Sequence, residues 1–118
     1  MTVYDLAHEL ARNLTSTKEF QEFKKAREKL DRDQQAKKML EDFRKKQFEV
    51  QAIKLSGKSA DEEEKKLQNL YQIVSYNTTV NNYIEAETRF ATLMSDIYNI
   101  IEKALGFESH EIEPDDNK

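Results

Sequence analysis

The chain has 118 residues, room for one domain, and 36% of them are charged against roughly 25% in an average globular domain. It holds no cysteine, which excludes disulfides, thiolate metal sites and cysteine nucleophiles. Net charge is −4 but unevenly placed: residues 18–54 carry twelve Lys/Arg and eight Asp/Glu, whereas residues 55–118 carry six and thirteen. A stretch of +4 with interleaved acids is unlike the concentrated basic footprint of a nucleic-acid domain.

Thr2 is placed to cap a first helix, with Asp5 three residues on as the acid of a capping box. No basic segment followed by an apolar one opens the chain, so no secretory signal is read and the cytoplasm is the expected compartment. Val3, Leu6, Ala7, Leu10, Ala11 and Leu14 then recur at three-and-four spacing, one face of a helix. Thr15-Ser16-Thr17 interrupts it, since hydroxyls compete for backbone groups and favour caps. Ser16 with Glu19 reads as a second capping box, followed by a stripe of Phe20, Phe23, Ala26, Arg27 and Leu30.

Asp31-Arg32-Asp33 reads as a new start or a continuous bend. The third segment places Ala36, Met39, Leu40, Phe43, Gln47, Val50 and Lys54 on its inner face, with Phe48, Ala52 and Leu55 to one side. Gly57 suits the left-handed position after a helix end. Ser59 and Glu62 read as a third capping box, with Asp61–Lys65 and Glu62–Lys66 pairs in the first turn. The acidic run 61–64 reads either as a site for a metal or basic partner or as a solvated helix N-terminus, the second favoured by the helix dipole.

Leu67, Leu70, Tyr71 and Val74 carry the fourth stripe, and Asn77-Thr78-Thr79 marks a break. The last segment is the strongest: Val80, Tyr83, Ile84, Glu87, Phe90, Ala91, Met94, Ile97, Tyr98, Ile101, Ala104 and Leu105, ended by Gly106. Unbroken from 78 to 105 it would be about 42 Å long, while a compact monomer of this size has a radius of gyration of about 13–14 Å. The chain is then either broken there or elongated, with another subunit covering its flanks. The expectation is an all-α, elongated bundle of four to five helices over residues 1–106 with a long C-terminal helix, dimeric, and an acidic tail at 107–118.

Catalysis needs convergent groups in a concave site, and candidates are scarce. His8 and His110 are isolated, Gly57 and Gly106 cannot make a phosphate loop, and no metal motif is present. Glu85 and Glu87 are two apart and cannot share a helix face; Glu87 lies on the apolar stripe and is expected to meet a partner on the helix beside Arg89 or a basic residue of the third helix. No catalytic residue, metal or cofactor is expected. Lys37, Lys38, Arg44, Lys45 and Lys46 could touch phosphates, with Phe43 and Phe48 flanking the second step, but Glu41, Asp42 and Glu49 dilute the field. Phe43 reads as core, and Lys45 and Lys46 as the wet side.

The order of these motifs resembles the YlbF/YmcA family of small bacterial helical proteins, most closely its YheA branch. The matching stretches are Val3-Tyr4-Asp5-Leu6-Ala7-His8-Glu9-Leu10-Ala11, residues 16–23 with Lys24-Lys25-Ala26, Leu30-Asp31-Arg32-Asp33, and Phe43 with Gln47. Leu55-Ser56-Gly57-Lys58, residues 77–87 and Leu93-Met94 complete the set. The resemblance covers residues 3–105 and implies a self-associating helical bundle. Relatives act as regulatory partners in competence, sporulation and biofilm formation, and two join a complex that modulates RNA cleavage by the endonuclease RNase Y. Those relatives hold an iron–sulfur cluster on cysteines, which this sequence lacks.

The expected function is therefore a non-enzymatic regulatory protein acting through self-association and protein partners, other family members or an RNA-processing complex among them. Its expected interface is Phe20, Phe23, Tyr83, Ile84, Phe90, Met94, Ile97, Tyr98 and Ile101. The alternative is an RNA-binding accessory factor using the five cations at 37, 38, 44, 45 and 46.

Overall fold

A computed structural model describes residues 1–107. The acidic tail expected over 107–118, with His110, lies from residue 108 onward outside the described residues. Five helices follow one another: α1 Val3–Thr15, α2 Lys18–Arg32, α3 Gln34–Leu55, α4 Asp61–Ser75 and α5 Thr78–Leu105. Among the described residues there is no strand.

Local chemistry sets the boundaries. Thr2 and Asp5 close the expected capping box, each side chain meeting the other's backbone N–H at 3.0–3.1 Å. The second cap falls one residue later than expected: Thr17, not Ser16, accepts from the Phe20 N–H. Asp33 resolves the break after α2, because its carboxylate accepts from Ala36 and starts a new helix. The third capping box does not form. Ala60 is the N-cap of α4 without any side-chain bond, and Ser59 Oγ accepts instead from the nearby Asp61 N–H. Asn77 caps α5 through Val80, and the helix then runs 28 residues without a break. Gly57 and Gly106 take φ of +84° and +80°, the left-handed conformation that a side chain would strain.

The helices pair in two antiparallel sets. Along α2 and α5, Phe20 meets Phe90, and Phe23 meets both Phe90 and Tyr83, with ring centroids 5.5–5.6 Å apart. Along α3 and α4, Phe43 meets Tyr71 near one end and Lys54 meets Glu64 near the other. The sets join where Leu30, Ala36, Leu40, Phe43, Val74 and Val80 bury one another. The extents are 51 × 46 × 18 Å and the radius of gyration is 18.7 Å, well beyond the about 13–14 Å of a compact monomer. The molecule is thus a flat, elongated all-α assembly of helices one to two layers thick.

The inner face of α3 differs from expectation. Gln47 and Lys54 are exposed, while Lys46 sits half-buried between the levels of Phe43 and Val50. It turns toward α4 because Glu63 lies opposite, 3.0 Å from its Nζ, with Glu49 at 2.9 Å. Lys46 is therefore not on the wet side. The acidic run behaves accordingly: Glu63 and Glu64 reach across to Lys46 and Lys54, and Lys66 pairs with Glu63 in place of the expected pairs at 61–65 and 62–66.

Candidate interaction surface

Helix α1 has one apolar face, yet none of its residues is buried. Val3 is 72% exposed and Leu6 51%. The helix touches only α2, and no Cα of α1 comes within 8 Å of one in α5. Isolated helices of about 12–15 residues are marginal in water even with good helix formers, and this 13-residue helix has only Leu14 of its stripe half-buried to hold it.

The far end of α5 is bare in the same way. Because Phe20, near the start of α2, lies against Phe90, the pairing with α2 runs out a turn later. Met94 and Ile97 are half-buried, and beyond them Tyr98 is 60% and Leu105 61% exposed, with Ile100 and Ile101 also open. Adjacent apolar residues exposed in such numbers are uncommon on a monomeric chain.

The nine expected interface residues thus divide. Phe20, Phe23, Tyr83, Ile84 and Phe90 are half-buried within the α2–α5 seam, where Arg27 also lies over the Phe23 ring at 5.3 Å. Met94, Ile97, Tyr98 and Ile101 continue the same stripe past that seam. The face of α1, with Val3, Leu6 and Leu10, was missing from that set, although its regular apolar spacing was the available signal. Which stripes stay uncovered depends on where the partner helices end, and no local pattern carries that.

The five cations form no free patch. Lys37 stands 3.7 Å from Asp31, Lys38 3.2 Å from Asp42, and Lys46 between Glu49 and Glu63. Arg44 makes a two-pronged bond to Glu87, the basic partner from the third helix expected for that residue. The Glu87 hydrogen bond holds the Arg44 guanidinium even further above its usual range, and burial followed by the Glu87 charge pushes the Tyr83 phenol up. Hydrogen bonds to Glu49 and Glu63 raise the Lys46 ammonium, and in return Lys46 lowers the Glu63 carboxyl. Lys45 alone of the five has no carboxylate within 4 Å among the described residues.

One open hollow of about 360 Å³ is lined by Lys18, Glu19, Glu22 and Arg89, and another of about 340 Å³ by Asp61, Glu64, Lys65 and Gln68. Among the described residues no three His, Asp or Glu side chains stand close enough to hold a metal ion, and no helix is long and apolar enough to cross a membrane.

An elongated helical chain with bare apolar ridges is the class of protein that these features define. The chain belongs to the YlbF/YmcA family: residues 3–106 match the family described as control of competence regulator ComK, YlbF/YmcA. It is 41% identical over 107 residues to a UPF0342 protein of Caldicellulosiruptor bescii, covering 90% of each chain. A UPF0342 protein of Symbiobacterium thermophilum is 41% identical over 104 residues, 87% of this chain and 93% of its own. One of Clostridium tetani is 41% identical over 114 residues, 92% of this chain and 98% of its own. No solved structure matches the chain.

Proposed function

We propose that this protein is a non-enzymatic regulatory module of the cytoplasm that self-associates and acts by docking helix faces onto protein partners. The observation that carries the reading is that α1 has no buried residue, with Val3, Leu6 and Leu10 exposed, while Tyr98, Ile101 and Leu105 of α5 stand open beyond half-buried Met94 and Ile97. Burying one such side chain is worth about 1.5–3 kcal/mol, so several together supply a strong drive to associate. Membership of a family described by control of a competence regulator supports a regulatory role over a catalytic one. Competence control by the relatives is the model for how this chain would act, by holding or releasing another protein.

Light scattering after size exclusion at micromolar concentration tests self-association: a mass of at least two chains is expected, and a strict monomer overturns it. For partner docking, the purified chain is compared with its Leu6→Asp and Tyr98→Asp variants in capture from a producing cell. Proteins retained by the native chain and lost with both variants are expected; identical retention by all three removes these faces from the function.

A further inference from the structure

The two bare elements fit each other in length and pattern. Helix α1 has 13 residues and the end of α5 past the α2 seam, from half-buried Met94 to exposed Leu105, has about twelve, each about 18–20 Å long. Their apolar positions recur with the same steps: Val3, Leu6, Ala7, Leu10, Leu14 in one, and Met94, Ile97, Tyr98, Ile101, Leu105 in the other. No charge interrupts either stripe. On α5 the stripe is a direct continuation of the face that α2 covers through Phe20, Phe23 and Phe90, so the natural occupant is another helix of the same kind.

The chain's own α1 is held away from that place. Thr17 Oγ accepts from the Phe20 N–H at 3.1 Å and donates to Leu14 O at 2.7 Å, tying the end of α1 to the start of α2. Gln21 Nε2 donates to Thr15 O at 2.6 Å across the same corner. Folding α1 back onto its own α5 would break these bonds in a connection of two residues, Ser16 and Thr17. Short, bonded hinges of this kind favour exchange of an element between copies.

Building on the self-association proposed above, we infer that α1 of one copy lies on residues 94–105 of α5 of a second copy, which returns its own α1 in exchange. The interface is then isologous, each contact is made twice, and α1 is structured only because a partner covers it. Regulation by concentration follows, since dilution would release two helices at once.

The absence of cysteine makes the test clean. Leu10→Cys and Ile101→Cys are made in separate chains of distinguishable mass, both at exposed positions that leave the buried cluster intact. The two are mixed, allowed to exchange, and treated with a short bismaleimide. A covalent pair joining the Leu10→Cys chain to the Ile101→Cys chain is expected in up to about half of the chains, the share of mixed dimers that random exchange of an equal mixture allows, with none when Phe48→Cys on α3 replaces Ile101→Cys. In light scattering, Leu10→Asp and Ile101→Asp should each weaken the dimer at least about tenfold, or about 1.4 kcal/mol. A native dimer without that cross-link, or a Leu10→Cys/Ile101→Cys double variant that cross-links only within one chain, overturns the exchange while self-association stands. A native monomer overturns both.

Discussion

Arg44 and Glu87 show how a charged pair is used at the edge of a helical seam. The carboxylate lies on the apolar stripe of α5, where a lone charge would be costly, and Arg44 of α3 reaches it with both guanidinium nitrogens. Tyr83 Oη adds a contact at 3.5 Å. Both side chains keep contact with water, so a double-mutant cycle of Arg44→Ala and Glu87→Ala should give a coupling of about 0.5–1 kcal/mol in urea unfolding. A value near zero would reduce the bond to a surface accident. Glu63 offers a second test, through pH. Its carboxyl is lowered from an ordinary 4.5 mainly by the Lys46 hydrogen bond. A lowered folded value means the stabilisation is fully present above the unfolded value and is lost as pH falls through the folded one. Thermal unfolding should therefore show a decline below about pH 4.5 that Glu63→Gln flattens. An unchanged acid limb in the variant would place the loss elsewhere.

The helices themselves divide into those held by packing and one that is not. Leu40 of α3 stands in the cluster with Phe43, Val74 and Val80, where a deleted side chain leaves a cavity. Leu40→Ala should lower stability by about 2–5 kcal/mol, and Leu55→Ala, at an exposed position of the same helix, by less than about 0.5 kcal/mol. The shift of urea midpoint at constant slope reads both. Equal effects would mean the cluster is not where the two helical pairs are joined. Helix starts were legible where a cap was purely local, at Thr2 with Asp5 and at Asn77, each accepting from a backbone N–H three residues on. At Asp31-Arg32-Asp33 a new start and a bend stand equal on the sequence, and the structure decides, with Asp33 accepting from the Ala36 N–H. Starts were misplaced where neighbours compete. At Thr15-Ser16-Thr17 three hydroxyls are equivalent on paper, and the turn decides for Thr17 because it bonds both helices. At Ser59 the hydroxyl is used by Asp61, so α4 begins uncapped after buried Ala60.

For the whole molecule, the flat outline leaves the helix faces more open than a compact bundle would. The fold also pairs most of the candidate cations with acids. Filter binding to single-stranded RNA across a salt series should accordingly give weak retention and a shallow slope, corresponding to about one or two phosphate contacts. A slope of five or more would revive the RNA-accessory alternative and point to Lys45 and the cations around it.

An all-helical chain of four to five helices with a long last one, and their approximate limits, follow from the sequence alone, because apolar periodicity, scarce Gly and Pro, and local caps are near-neighbour properties. That α5 runs unbroken for 28 residues in an elongated molecule was one of two readings, and the structure decided between them. That Glu87, a carboxylate on an apolar stripe, needs a polar partner was legible too, while the choice of Arg44 on the third helix came from the structure. Tertiary structure alone decided that Phe20 and Phe23 are spent within the chain, and that Lys46 turns inward to Glu63 while Gln47 faces out. It also decided that α1 and the end of α5 are the stripes left uncovered. Burial depends on where the neighbouring helix stops and which way the chain turns at a two-residue corner. Those are long-range quantities with no counterpart in local spacing.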